Sequence, residues 1–289
     1  MSRKELNAHF FSLLRTSVNT LIDHPIILYP LCIAVFIQLL ALEIIYFAPR
    51  FPLSVFFGPM IRRLWNEAYL HYPYNFMLLP KLFYYTQILI YIFIGGFLNA
   101  VAISIIAAIN NDKRVTLKAV YKENLPFYIH IFVASLLSLG LFSLLSSFYR
   151  FVVYYASQFE LEGKVFLYLK KMIIYSGPYA NLILGVFVTT ALAFLIQIIV
   201  IEKKKIFSAI VSNFQTLNRS FWFVFSVVLV PTLFYVPLLL IRSTIWQADT
   251  VVPGIHLFVI IVGLLVTLGI DATVFTATTT YYLFLKENK

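Results

Sequence analysis

The sequence predicts an all-α integral membrane protein with six transmembrane helices, on the strength of three observations. The 289 residues are 61% apolar and only 12% charged, whereas roughly a quarter of the residues of a soluble protein are charged. Six stretches of 19 or more residues lack Asp, Glu, Lys and Arg, and a membrane-spanning helix needs about 20 largely uncharged residues. These stretches are continuously apolar, unlike the alternating strands of an outer-membrane barrel.

The uncharged stretches place the six spans in order along the chain. Each span extends into flanking aromatic residues, because Tyr and Trp favour the membrane boundary. The predicted spans are, in order, about 25–46, 83–109, 127–152, 178–201, 221–241 and 255–283. The connection over 47–82 is rich in proline and aromatic residues. We expect it to lie at the membrane surface with a short helix over 60–71, because its prolines interrupt any longer helix.

An amphipathic segment precedes every second span. Each segment carries apolar residues on one helical face and polar residues on the other, as a helix lying in the membrane interface does. The segments are residues 4–22, 117–125 and 206–217. The sequence therefore predicts amphipathic interfacial helices before spans 1, 3 and 5. The recurrence predicts a threefold repeat, although connections between spans are also commonly amphipathic. The repeat units are 1–110, 111–202 and 203–289, within a single membrane domain over 1–289.

The distribution of basic residues predicts the orientation of the chain. With the N-terminus inside the cell, 13 of the 22 Lys and Arg residues lie in inner segments and 9 lie in outer segments. Because Lys and Arg concentrate on the cytoplasmic side, we expect an inner (cytoplasmic) membrane protein with both termini in the cytoplasm. The net charge of +10 is then expected to meet anionic lipid head groups and not nucleic acid.

Asp271 is the most informative polar residue within a predicted span. A carboxylate near the middle of the membrane is costly, so it must be neutral, paired or hydrated. The other residues of this candidate intramembrane polar site are Asn99, Thr273 and Thr276. One interpretation makes Asp271 a proton or cation site in a transport path. The other makes it structural, with His130 or Arg242 on a neighbouring helix as its partner.

Small residues recur at four-residue spacing in span 2. Gly96, Ala100 and Ser104 lie on one face of a helix and allow a second helix to approach closely. We therefore expect them to be helix-packing residues and not ligand-binding residues.

Signatures of catalysis, cofactor binding and metal binding are missing from the sequence. It contains no GxGxxG, Walker-type or HExxH motif, its five histidines are scattered singly, and Cys32 is its one cysteine. These motifs are the ones that build phosphate cradles and metal sites. We therefore expect no catalytic, cofactor-binding or metal-binding residues, no cofactor and no enzyme activity.

Two segments carry a resemblance to known proteins. They are FSAIVSNFQTLNRSFWFVFSVVLV at 207–230 and DATVFTATTTYYLFLKEN at 271–288. They resemble the bacterial six-helix membrane proteins grouped around the YciC-like family and the membrane domain of glycerophosphodiester phosphodiesterases. The resemblance implies a membrane-embedded module that lacks the phosphodiesterase catalytic domain.

Two functional hypotheses follow from these features. The first is a non-enzymatic multi-pass membrane protein that serves as a scaffold, or as a subunit of a membrane assembly, and contacts lipid head groups. Its partners would be membrane lipids and another membrane protein or assembly. The alternative is a transporter or lipid-translocating carrier with a cavity around Asp271.

Overall fold

The protein folds into a bundle of helices. The structure, a computed structural model, describes residues 3–71, 74–113, 115–158, 164–241 and 255–287. Within these ranges the secondary structure is helical, without β-strands, and six helices are long and apolar enough to cross a membrane. These spans are Pro25–Phe47, Tyr74–Asn110, Leu117–Gln158, Gly177–Ile201, Phe221–Ile241 and Leu257–Glu287. The predicted fold class is confirmed, and the chain is a multi-pass membrane protein.

The spans are assembled from shorter helices joined by local turns. The helices are α1 (Arg3–Asp23), α2 (Leu28–Phe47), α3 (Ser54–Leu64), α4 (Tyr74–Ile90), α5 (Gly96–Asn110), α6 (Leu117–Asn124), α7 (Tyr128–Gln158), α8 (Lys164–Tyr175), α9 (Gly177–Ala191), α10 (Leu195–Ile201), α11 (Ile206–Leu217), α12 (Phe221–Thr232), α13 (236–241) and α14 (Ile255–Glu287). Short 3-10 turns lie at Pro25–Ile27, Glu67–Leu70, Leu125–Phe127 and Leu233–Tyr235, and a π-helical turn lies at Tyr91–Gly95. Several spans therefore change helical geometry along their length.

Each amphipathic segment forms a helix that leads into a span. Helices α1 and α11 end shortly before spans 1 and 5, whereas α6 continues through the turn Leu125–Phe127 into α7 and forms the first part of span 3. In α11 the buried residues include Ala209, Asn213 and Leu217, whose spacing of four places them on one face. This face packs against the bundle. The threefold repeat itself stays a prediction.

The connection between spans 1 and 2 differs from its prediction. The surface helix is α3, over Ser54–Leu64, and not a helix over 60–71. Asn66, two residues after the end of α3, has a φ of 108°. An α-helix cannot continue through this left-handed conformation. Span 2 begins at Tyr74 and not near 83, because its helix continues through Pro80. Membrane helices tolerate an internal proline where neighbouring groups satisfy the freed backbone.

The buried core lies where spans 2 to 6 meet α11. It is built from large apolar side chains, among them Phe194, Ile198 and Val228, which are at most 2% exposed. Many other large apolar side chains, such as Trp222 at 76% and Phe234 at 73%, face outward. An apolar outer surface of this kind is expected for spans surrounded by lipid.

Candidate functional site

A cavity of about 180 Å³ lies among spans 2, 3, 4 and 6. Asp271 contributes to its wall from the middle of span 6. The other polar residues lining it are Tyr91, Asn99, Ser138, Thr189, Gln197 and Thr278. Seven polar and eight apolar residues of four membrane-spanning helices therefore line this cavity.

The Asp271 carboxylate contributes to this cavity, and within the described part of the chain it takes part in no hydrogen bond and no ion pair. The ion pairs of the described chain join Arg62 to Glu67, Lys203 to Glu123 and Lys204 to Glu202. The titratable side chain that interacts with Asp271 across the cavity is Tyr91, whose hydroxyl lies beside Ser138. A carboxylate accepts hydrogen bonds but donates none when ionised, so Asp271 is left to water or a ligand.

Of the two partners suggested for a structural Asp271, the described one, His130, does not bond to it. The imidazole of His130 packs against Phe127, with ring centroids 6.5 Å apart, and neither a hydrogen bond nor an ion pair joins it to Asp271. Arg242 lies outside the described residues.

The structure brings together two of the four residues of the candidate polar site. Asp271 and Asn99 line the same cavity, and no described residue forms a hydrogen bond with the Asn99 amide. Thr273 donates its hydroxyl to Gly269 (Oγ1 to O 2.8 Å) and lines a separate cavity of about 320 Å³. Thr276 is fully buried and donates to Ala272 (Oγ1 to O 2.8 Å).

Helical geometry explains this separation. At about 100° per residue, Thr273 lies roughly 200° from Asp271 around the helix and Thr276 roughly 140°. Thr278 is seven residues after Asp271, almost two turns, so it lies on the same face as Asp271. Sequence reasoning missed Thr278 although this seven-residue spacing was a usable signal.

Gln197 of span 4 is a second polar residue that sequence reasoning missed. Its Nε2 donates to Thr278 Oγ1 at 3.2 Å, and both side chains are at most 3% exposed. This hydrogen bond joins spans 4 and 6 at the wall of the cavity. Gln197 lies in an otherwise apolar run, which was the available signal for it.

Span 4 is interrupted beside the cavity. Helix α9 ends at Ala191 and α10 begins at Leu195. In a continuous helix the amide of Ala193 would donate to Thr189, but here it donates to Thr190 (N to O 3.1 Å). The carbonyl of Thr189 thus loses its helical donor. Because Thr189 and Ala193 both line the cavity, the interruption lies in its wall.

Asn213 of α11 stabilises the interruption from outside the span. Its Oδ1 accepts a hydrogen bond from the amide of Phe194 (3.0 Å), and its Nδ2 donates to the carbonyl of Ala191 (2.8 Å). Asn213 is fully buried. One side chain of α11 therefore satisfies two of the backbone groups that the interruption leaves unpaired, the amide of Phe194 and the carbonyl of Ala191.

Span 2 also departs from α-helical geometry beside the cavity. The π-helical turn Tyr91–Gly95 starts at Tyr91, which lines the cavity. Such turns are frequent at functional sites. Two of the four spans around Asp271 are therefore irregular where they face it.

The three packing residues of span 2 occupy closely packed positions. A Cβ atom at Gly96 would overlap the hydroxyl of Ser135 on span 3, so this approach requires glycine. Ala100 is fully buried. Ser104 and Asn124 form reciprocal hydrogen bonds of 3.1 and 2.8 Å, so Ser104 also fixes the end of α6 against span 2.

A larger cavity of about 670 Å³ continues along spans 2, 3 and 4. Its lining includes Ile88, one helical turn before Tyr91, and Leu139, next to Ser138. At its far end lie Arg150 and Asn181. The two cavities therefore follow one another along the same three spans, with Tyr91 and Ser138 between them.

Glu202 anchors a polar cluster where span 4 meets α11. The Tyr282 hydroxyl donates to Glu202 Oε1 at 2.5 Å, and Lys204 Nζ lies 2.7 Å from Oε2. Lys204 also donates to Ser212 Oγ at 3.0 Å. Partial burial alone would raise the pKa of the Glu202 carboxyl, but the hydrogen bonds from Lys204 and Tyr282 together lower it below its ordinary value. The cluster ties spans 4 and 6 to α11.

The described residues contain no group of three or more His, Cys, Asp or Glu side chains that could hold a metal ion. Comparison of the chain with protein-family models, with curated proteins and with solved structures found no match.

Proposed function

We propose that this protein is a non-enzymatic membrane carrier that moves a small polar solute or ion through the cavity around Asp271. The observation that carries this proposal is a carboxylate near the middle of a membrane span that lines a cavity and has no hydrogen-bond or ion-pair partner among the described residues. Ionisable residues at this depth commonly mark substrate or ion pathways. A purely structural carboxylate would instead be expected to have a partner on a neighbouring helix.

The arrangement of the cavities supports passage along the bundle. The larger cavity is lined by residues close in sequence to Tyr91 and Ser138 of the smaller one, and it extends along spans 2 to 4 towards Arg150. The interrupted span 4 gives additional support, because discontinuous helices form the central sites of many secondary transporters.

The test is a flux measurement in proteoliposomes containing the full chain. We expect wild-type protein to carry small inorganic ions across the membrane well above protein-free vesicles. Asp271→Asn keeps the side-chain size but removes the charge, and should lower flux by about tenfold or more. Thr273→Val is the matched control, because Thr273 lies on the same helix outside this cavity, and it should retain flux. Equal flux in wild type and Asp271→Asn, or flux in neither, contradicts the proposal.

A second candidate function, contact with lipid head groups as a scaffold or assembly subunit, is favoured by the outer face of α11. Phe207, Val211 and Phe214 lie at spacings of four and three on this helix and are 81%, 57% and 52% exposed. The exposed basic residues Lys205 and Arg219 flank the helix. An apolar stripe flanked by cations suits the anionic cytoplasmic face of a membrane. This candidate places the protein in the cytoplasmic membrane with both termini inside.

The second candidate predicts what accompanies the protein through purification. In a mild detergent, mass spectrometry should find anionic phospholipid, or a stoichiometric membrane protein, retained by the wild type. The pair Phe207→Ser and Phe214→Ser should reduce that retention. The matched pair is Phe51→Ser and Phe56→Ser; these residues, in the connection before span 2, are 85% and 77% exposed, and the pair should not reduce retention. Equal retention by both double variants contradicts the head-group role of α11.

A further inference from the structure

We infer that the ligand of the cavity around Asp271 is a single small monovalent cation, bound by oxygen atoms of spans 2, 4 and 6. The inference rests on the proposed carrier function and names its substrate class. The charge of the cavity, its oxygen atoms and its size support a cation as the ligand.

The charge of the cavity selects a monovalent cation. Among the described residues that line the cavity, Asp271 is the one acidic residue, and none is Lys, Arg or His. An isolated charge in an environment of low dielectric constant is strongly disfavoured. One monovalent cation cancels the charge of an ionised Asp271, whereas a divalent cation would leave a net positive charge. An anion would be repelled.

The oxygen atoms of the cavity wall suit such a cation. The Asn99 amide has no hydrogen-bond partner among the described residues, so its carbonyl oxygen is available. The carbonyl of Thr189 has lost its helical donor, since Ala193 donates to Thr190. This carbonyl lies in the last turn of α9, where the helix dipole is negative and attracts cations. Asp271, Asn99 and Thr189 therefore offer oxygen ligands from three different spans.

A hydrogen bond fixes the orientation of the Gln197 side-chain amide. Its Nε2 donates to Thr278 Oγ1, and the Thr278 hydroxyl in turn donates to Val274 (Oγ1 to O 2.7 Å). The side-chain nitrogen of Gln197 is thus occupied by Thr278. The side-chain carbonyl oxygen of Gln197 is then the atom that faces the cation. Oxygen ligands of neutral groups with a single carboxylate match the needs of a hard monovalent ion.

The size of the cavity excludes larger ligands. Pockets for organic ligands usually measure about 300–1,000 Å³, and this cavity measures about 180 Å³. At roughly 30 Å³ per water molecule, it accommodates an ion with a few waters. A phospholipid does not fit, so the lipid-translocating form of the carrier hypothesis is not the one that this cavity supports.

Equilibrium binding to the purified full chain in detergent tests the inference. Thermal unfolding is followed in NaCl, KCl or NH₄Cl, with N-methyl-D-glucamine chloride keeping the ionic strength constant and CaCl₂ as a divalent arm. We expect a saturable rise in melting temperature with at least one monovalent cation and none with calcium. Asp271→Asn should abolish the rise, and Asn99→Leu should weaken apparent affinity about tenfold through loss of one oxygen ligand. Thr273→Val should behave as the wild type.

The outcomes separate this inference from the proposed function. Stabilisation by monovalent cations that survives Asp271→Asn, or stabilisation by calcium alone, overturns the inference. Flux that requires Asp271 but proceeds without any monovalent-cation binding, as for a protonated carboxyl, also overturns it and leaves the carrier function standing. Cation binding without flux supports the site and contradicts the carrier. If Asp271→Asn fails to fold, Asn99→Leu and the wild-type cation selectivity decide the question.

Discussion

Threonine and aspartate side chains inside the spans differ in whether their own helix can satisfy their hydrogen bonds. The hydroxyls of Thr232, Thr267 and Thr273 each donate to the carbonyl four residues earlier in their own helix. Such a bond needs no neighbouring helix, so a threonine costs little inside a membrane span. Asp271 has no donor when ionised and cannot use this bond. A run of threonines is therefore weak evidence for a site, whereas one partnerless carboxylate is stronger evidence.

Thr278 and Thr279 are adjacent, and their replacement by valine should have opposite effects on stability. Thr278 accepts a buried hydrogen bond from Gln197, so Thr278→Val leaves that amide unpaired and should destabilise the protein by about 1–3 kcal/mol. The Thr279 hydroxyl is fully buried, and no described residue bonds to it. Thr279→Val should stabilise the protein by about 1 kcal/mol. Unfolding in detergent measures both, and destabilisation of similar size by the two variants contradicts this account.

Glu202 predicts a loss of stability in acid. Its pKa is lower in the folded protein than in the unfolded chain, because Lys204 and Tyr282 stabilise the carboxylate. The resulting stability is present above the ordinary Glu pKa of about 4.3 and is lost as the pH falls through the lower folded value. Glu202→Gln should therefore melt below the wild type at pH 7 and approach it in acid. Glu67→Gln is the control, because Glu67 forms an exposed ion pair with Arg62; its melting temperature should differ from that of the wild type by an amount that changes little with pH. If the difference in melting temperature between Glu202→Gln and the wild type widens in acid, the stabilising role of the Glu202 carboxylate is refuted.

At the scale of elements, the interruption of span 4 depends on another helix. Residues 192–194 contain neither glycine nor proline, and their turn is held by Asn213 of α11. Helix α11 is thus hydrogen-bonded to the part of span 4 that forms the wall of the cavity. Movement of α11 against the bundle would change the positions of the backbone carbonyls at the interruption.

Asn213→Leu should destabilise the protein by about 2–4 kcal/mol, because two buried backbone groups lose their partners together. Asn218→Leu is the matched control in the same helix region, since Asn218 is exposed and should change stability by less than about 0.5 kcal/mol. Asn213→Leu should also reduce monovalent-cation binding, whereas Asn218→Leu should not. Unchanged stability in Asn213→Leu would show that the turn does not require this side chain.

At the scale of the whole molecule, an even number of spans places both termini on one side of the membrane. On a Cys32→Ala background, Ser2→Cys and Asn288→Cys should react with a membrane-impermeant reagent from the same face. The bias of Lys and Arg predicts that this face is the cytoplasm, so both should react in inside-out vesicles and not in whole cells. Labelling of the two positions from opposite faces would require an odd number of spans.

The spans, their order and the helices before spans 1, 3 and 5 could be predicted from the sequence. Hydrocarbon forces each uncharged stretch to satisfy its own backbone hydrogen bonds, and a helix does so locally. Predictions from local sequence were less reliable in the connection outside the membrane. Helix α3 lies over Ser54–Leu64 and not over 60–71, and span 2 starts at Tyr74 and not near 83.

The composition of the cavity was decided by the tertiary structure alone. Asp271 and Asn99 are far apart in sequence, and they line one cavity because spans 2 and 6 pack against each other. The interruption in span 4 has no local signal, because two of its unpaired backbone groups are satisfied by Asn213 from the following helix. Burial in lipid is a property of each segment by itself, whereas a binding site is a property of the distances between segments, which only their packing determines.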